Sequence, residues 1–220
     1  MTPLANVDPI SLFLVLSVMS ILPFAAMVVS SYTKIVVVLG LLRQAIGVQQ
    51  TPSNMVLSGI AIIVSCYIMA PVLMEAQQAL GVGGVTTQSS NAQQILKAAD
   101  AAREPLRGFL DKHADERHKV FFLRAAAQIW PPEQASLLKK TDLLVLAPAF
   151  LITELSQAFR IGFLLYLAFV VVDLVIANVL LAMGLSQVQP TQVGIPFKLL
   201  LFVMLDGWSK LIYGLVLTYR

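Results

Sequence analysis

Long apolar runs alternate with polar stretches along this chain, and their lengths predict its elements. Residues 9 to 33 hold 25 positions without a charge, enough for a helix across the roughly 30 Å of hydrocarbon that about 20 apolar residues span. Pro23 is expected to kink that helix. A second run, Met55 to Met74, has 16 apolar residues in 20 and no charge. The pattern then changes. Gly81 to Asn91 reads GVGGVTTQSSN, a composition that neither buries apolar surface nor holds a helix, and it predicts a linker. Beyond it, Ile95, Ala99, Ala102, Leu106 and Phe109 recur at steps of three and four, which predicts an amphipathic helix. A further helix is expected over Asp115 to Ile129, with Phe121, Phe122 and Ala125 on its apolar side and Trp130-Pro131-Pro132 as its stop.

The third apolar stretch starts at Thr141 or Asp142, either a suitable N-cap, and runs past Met183 to the breakers Gly184 and Pro190. It is too long for one straight span. Fifteen Leu, Ile, Val and Phe residues between Ile161 and Met183 contribute roughly 4 to 9 kcal/mol of insertion free energy, against about 2.5 to 3.5 for Asp173. The fourth stretch, Ile195 to Leu217, carries Lys198, Asp206 and Lys210, whose combined cost at mid-bilayer of roughly 7 to 10 kcal/mol cancels the gain from its apolar residues. Such a helix is expected to pack against protein. The fold class is therefore an all-α membrane protein of two hydrophobic helical hairpins, four hydrophobic helices in all, joined by a soluble helical insert. The expected domains are residues 1–75, 76–141 and 142–220.

Composition sharpens this picture. Of 220 residues, 58% are hydrophobic and 12% charged, with mean hydropathy +0.81, which argues against an ordinary water-soluble enzyme. Residues 76–141 hold nine Lys/Arg and six Asp/Glu, so the formal +3 belongs to the insert. No basic cluster is interleaved with aromatics, and nucleic-acid binding is set aside. The N-terminus carries Asp8 and no Lys or Arg before Lys34; lacking the positive region of a cleavable signal, the first run is expected to stay in the mature protein. Lys34 and Arg43 flank the connection between the first two runs, which places that connection in the cytoplasm and both termini and the insert outside it.

Chemistry is sparse. No phosphate loop, His-Glu-x-x-His or Gly-x-Ser-x-Gly motif occurs, so no enzyme and no cofactor is expected. His113 and His118 stand five apart in the charged segment with no cysteine or further histidine nearby, and no metal site is expected. Cys66 has no second cysteine to pair with. The informative residues are ionisable groups within apolar stretches: Glu154, Arg160, Asp173, Lys198 and Asp206. Groups at such depth are paired or face water. Asp206 and Lys210, at i and i+4, are placed to satisfy each other, and Glu154 with Lys198 to pair between helices or between subunits. Met183 and the following GLSQVQP mark a break where apolar side chains line either a constriction or a plain connector. A secondary transporter using the intramembrane carboxylates Glu154 and Asp173 is the alternative function class.

Two blocks resemble a known family. Lys34 to Asn54, KIVVVLGLLRQAIGVQQTPSN, and the sequence from Pro148, PAFLITELSQAFRIGFLLYLAFVVVDLVIANVLLAMG followed by PFKLLLFVMLDGWSKLI, are similar to the FliP/SctR family of type III secretion export-apparatus proteins. The resemblance implies a non-catalytic subunit of the export gate in the bacterial inner membrane. It implies a homo-oligomer, a pentamer, that joins SctS-like and SctT-like gate subunits and SctU-like and SctV-like apparatus proteins. It also implies a ring-like channel passing unfolded secreted proteins, an insert on the periplasmic side, and an assembled complex raised toward the periplasm, so that the apolar stretches become bent hairpins packed on neighbours. Glu154 and Lys198 match positions expected to form a charged contact between adjacent subunits. The flagellar branch has a methionine-rich gasket loop where this chain keeps only Met183, so Met183, Leu185 and Val188 are the constriction candidates. The shorter N-terminus favours the injectisome branch.

Overall fold

A computed structural model describes residues 9–48, 50–79 and 91–220. All regular structure among the described residues is helical: α1 (Pro9–Val28), α2 (Tyr32–Ile46), α3 (Asn54–Ala79), α4 (Asn91–His113), α5 (Glu116–Ile129), α6 (Pro132–Leu137), α7 (Leu143–Ala182), α8 (Pro190–Met204) and α9 (Gly207–Leu217). The linker expected over residues 81–91 lies, but for Asn91, outside the described residues. Two helices, α3 and α7, are long and apolar enough to cross a membrane, and a third span results if α8 and α9, bent by 64° at their break, act as one. The count among the described residues is thus two to three where four hydrophobic helices were expected.

The chain divides into two compact units, Met1–Ser30 with Met69–Thr153, and Ser31–Ile68 with Glu154–Arg220. In the first, Leu110, Ala114, Leu146, Ala149 and Phe150 form a core against which Leu106, Phe109 and Phe122 pack. Asp115 is the N-cap of α5 and accepts the backbone N–H of Arg117 at 2.8 Å, satisfying one of the orphan donors of a helix start. Thr153 fixes the same turn from α7. Its hydroxyl donates to the Ala149 carbonyl at 2.7 Å and accepts the Asp115 N–H at 3.0 Å. With that single proton spent, His118, 2.9 Å away through Nδ1, must be the donor to Oγ1. Trp130 caps α5 and Pro132 opens α6, as the stop signal predicts. One placement differs: Phe121 is 61% exposed, because the buried side of α5 runs through Lys119, Phe122 and Ala126.

In the second unit, α2 is the central element. Ile35, Val38, Leu39, Leu42, Ala45 and Ile46 recur at steps of one, three and four and are buried together. Ile35, Val38 and Leu39 pack with Leu57 and Ala61 of α3, Ala158 of α7 and Leu215 of α9. Leu42, Ala45 and Ile46 pack with Phe169 and Phe202. The segment expected to connect two spans contains a core helix, and Lys34 at its start is buried. Close approach of α2 and α7 depends on Gly162, since Leu41 fills the space a β-carbon there would need.

The last two stretches depart from the expected outline in opposite ways. The third is one continuous helix of 40 residues, about 60 Å at 1.5 Å per residue. The fourth is broken at Leu205–Asp206, where Asp206 adopts a left-handed conformation (φ 52°). Gly207 follows, and the Phe202 ring occupies the place its side chain would take.

Candidate functional site

The ionisable groups of the apolar helices gather into two intrachain clusters. In the first, Lys34 at the start of α2 stands 2.9 Å from Glu154 Oε1 of α7, each side chain 1% exposed. A cation at a helix N-terminus opposes the helix dipole, so this lysine depends on its partner. The C-terminal end closes the cluster. Tyr219 donates its hydroxyl to Glu154 Oε2, its ring lies 3.9 Å beneath the Lys34 ammonium, and Lys34 also donates to Thr218 Oγ1 at 3.3 Å. A charged pair removed from water survives when its hydrogen-bonding capacity is largely met; here the C-terminal residues give partners to Glu154 Oε2 and to the Lys34 ammonium, while Oε1 has the ion pair and no hydrogen bond.

In the second cluster Lys198 of α8 lies 2.5 Å from Asp173 Oδ2 of α7. The same ammonium donates to the Ala45 carbonyl at 3.2 Å, so it also serves the last turn of α2, where a cation is favourable. Lys198 is buried while the Asp173 side chain is 39% exposed. Gly194 admits this arrangement, since a β-carbon there would lie 3.0 Å from Asp173 Oδ1.

Glu154 and Lys198 are thus each neutralised inside the chain by a different residue, and they do not meet one another in it. Arg160 and Asp206 stand on exposed faces of the single chain. The i, i+4 pairing of Asp206 with Lys210 does not form; Asp206 instead accepts the Ser209 hydroxyl at 2.8 Å. The partners Lys34 and Tyr219 were missed by sequence reasoning. For Lys34 a signal exists, because it precedes a helical repeat of apolar residues and therefore needs a counter-charge. For Tyr219 none does.

The three constriction candidates fall on one short connection between α7 and α8. Gly184 (φ 74°) donates its N–H to the Leu181 carbonyl and Leu185 donates to the Leu180 carbonyl, both at 3.0 Å. These two bonds define a Schellman motif, with glycine at its left-handed position. Pro190 then opens α8 with its φ already helical. Met183 is 66% and Leu185 41% exposed at this tip, and Val188 is half-buried. Among the described residues no group of three or more His, Cys, Asp or Glu is placed to hold a metal ion.

The profile of the FliP family matches residues 15–215. The Hypersensitivity response secretion protein HrcR of Ralstonia nicotianae is 63% identical over 215 residues, 98% of this chain and 99% of that one. The Yop proteins translocation protein R of Yersinia pestis is 46% identical over 212 residues, 96% and 97% of the two chains. The Virulence protein YscR of Salmonella typhimurium is 37% identical over 215 residues, again 96% and 97%.

Proposed function

The chain belongs to the FliP family, and from that membership we propose that it is a core subunit of a type III secretion export gate in the bacterial inner membrane. In this reading several copies, five in the finished particle, wind into a ring with SctS-like and SctT-like subunits and meet SctU-like and SctV-like proteins at its base. The ring passes unfolded secreted proteins, and the insert faces the periplasm. No step of this function requires catalysis by the chain: it supplies a passage, and the energy comes from other components.

The observation that carries the reading is where apolar surface lies. Phe163, Leu164, Leu174 and Val175 of α7 and Phe197, Leu200, Val203 and Met204 of α8 are exposed in the single chain, while Lys34, Glu154 and Lys198 are buried. Apolar patches of this extent mark a lipid or protein contact. The tip carrying Met183, Leu185 and Val188 is the proposed constriction, one copy from each subunit closing a ring of apolar side chains. The transporter alternative gains no support, since both carboxylates it needs, Glu154 and Asp173, are ion-paired.

Electron microscopy of the detergent-solubilised complex tests the reading: a ring of repeated copies supports it, and a compact solitary particle overturns it. For the constriction, Met183→Asp in an assembled ring is expected to raise small-solute conductance several-fold, as polar side chains wet an apolar gate. Unchanged conductance removes Met183 from the gate.

A further inference from the structure

The second unit contains six Lys/Arg and three Asp/Glu. Glu154 is committed to Lys34 and Asp173 to Lys198. Asp206 is the remaining carboxylate of that unit; it makes no ion pair among the described residues, and its hydrogen bond comes from a neutral hydroxyl. Arg160 is its counterpart. It lies near the middle of α7, exposed and without an ion pair among the described residues. Both charges sit in apolar surroundings: Phe159, Phe163 and Leu164 are exposed beside Arg160, and Val203, Met204 and Leu205 precede Asp206. Covering either surface with lipid or protein would strand its charge.

We propose that Arg160 of one copy pairs with Asp206 of the next. The inference rests on the homo-oligomeric reading above and names the residues that would join its subunits. Two different patches, one apolar around Arg160 and the other carrying Asp206 after an apolar run with Lys210 one turn further on, have the form a head-to-tail interface requires. A repeated head-to-tail contact builds a ring when its rotation closes, whereas a two-fold dimer would match one patch with itself. The break between α8 and α9 gains a purpose. It sets Asp206 in a left-handed turn as the N-cap of α9 and leaves its side chain exposed after an apolar run. Ser156 and Gln157, exposed within one turn of Arg160, supply further hydrogen-bonding groups for an incoming carboxylate.

The test uses the full chain in detergent, with oligomers quantified by native mass spectrometry. Arg160→Asp and Asp206→Arg are each expected to lower the oligomeric fraction about tenfold, and the double exchange to restore it to within about twofold. Failure of the double exchange while the unaltered chain still assembles overturns the pair and leaves the oligomer standing. A solitary unaltered chain overturns both. Because charge reversal can also damage folding, a second measurement is made on Cys66→Ser chains carrying Arg160→Cys and Asp206→Cys. A short bismaleimide, which spans the gap an arginine side chain leaves where a disulfide cannot, is expected to give a ladder of covalently linked copies. Absence of the ladder in an assembled ring overturns the pair, as does a reversal at Arg160 that Asp206→Arg cannot rescue, the result for an arginine anchored by lipid phosphate.

Discussion

The two compact units neutralise charge in different ways. In the unit that carries the insert, most ion pairs are local and each keeps a partly exposed partner. Lys119 reaches Asp111 at 2.7 Å and Glu116 at 2.9 Å, and the acidic partners are partly exposed although the lysine is buried. Asp115 holds Arg117 two residues away. In the other unit the pairs join separate helices and one is dry: Lys34 and Glu154 meet across 120 residues of sequence, both out of contact with solvent, whereas Asp173 in the pair with Lys198 stays 39% exposed. A local pair forms as soon as its helix does, and water replaces a lost partner. A remote pair forms only when separate helices have packed, and nothing replaces its partner. The first kind adjusts the stability of a turn, and the second makes three segments of the chain depend on one another.

The largest effect should therefore come from the dry pair. Lys34→Glu or Glu154→Lys leaves two like charges facing each other in place of the pair, and each is expected to destabilise the protein in detergent by at least the roughly 3 to 5 kcal/mol of a broken buried pair. The same variants discriminate between intrachain pairing and the proposed contact of Glu154 with Lys198 of a neighbouring subunit. If the intrachain pair governs, Lys34→Glu rescues the melting temperature of Glu154→Lys. If the intersubunit contact governs, Lys198→Glu rescues its oligomer and Lys34→Glu does not. Thermal melts together with native mass analysis read both outcomes.

Much of the outline was legible in the sequence because it depends on local chemistry. Asp115 and Trp130-Pro131-Pro132 bracket α5 as a cap and a stop, and the charge-free run 55 to 74 lies within α3. The constriction candidates fall on the connector because Gly184 and Pro190 each impose a backbone geometry there. Two features were missed for opposite reasons. The break of the fourth stretch had a local signal, since Asp206-Gly207 is a dipeptide that marks turns, but the count of apolar residues around it outweighed that signal. The partnership of Glu154 with Lys34 had no local signal, because spacing along one helix says nothing about which distant helix will lie against it. Charge demand can be read from a sequence, and the residue that answers it depends on the packed fold.

A smaller effect is expected from the partly exposed pair of the insert. Burial pulls the Lys119 ammonium down, and the hydrogen bonds and charges of Asp111 and Glu116 outweigh that pull, leaving it above its ordinary value. A raised lysine contributes stability that is complete below the unfolded value and disappears as pH rises through the folded one. Lys119→Met keeps most of the buried stem and removes the charge, and it is expected to cost about 1 kcal/mol at neutral pH. The difference from the unaltered protein should close at strongly alkaline pH. A loss as large as that of Glu154→Lys would erase the distinction between the two units.

The smallest effect belongs to Asp115, where the charge lies at the surface. The side-chain hydrogen bond from Arg117, joined by the Arg117 backbone N–H, pulls its carboxyl down to about 2 from an ordinary 3.8. A depressed acid contributes stability that is present above its unfolded value and is lost as pH falls through the folded one. The contribution should therefore fade between pH 3.8 and about 2. Asp115→Asn keeps a side-chain oxygen for the Arg117 N–H, because asparagine caps helices as well as aspartate does, while removing the titration. Acid unfolding followed by circular dichroism should show the two proteins converging below pH 2, with the variant's helical signal slightly less stable at pH 7. A variant of equal stability at neutral pH would show that the backbone cap alone holds this turn and that the Arg117 side chain adds nothing to it.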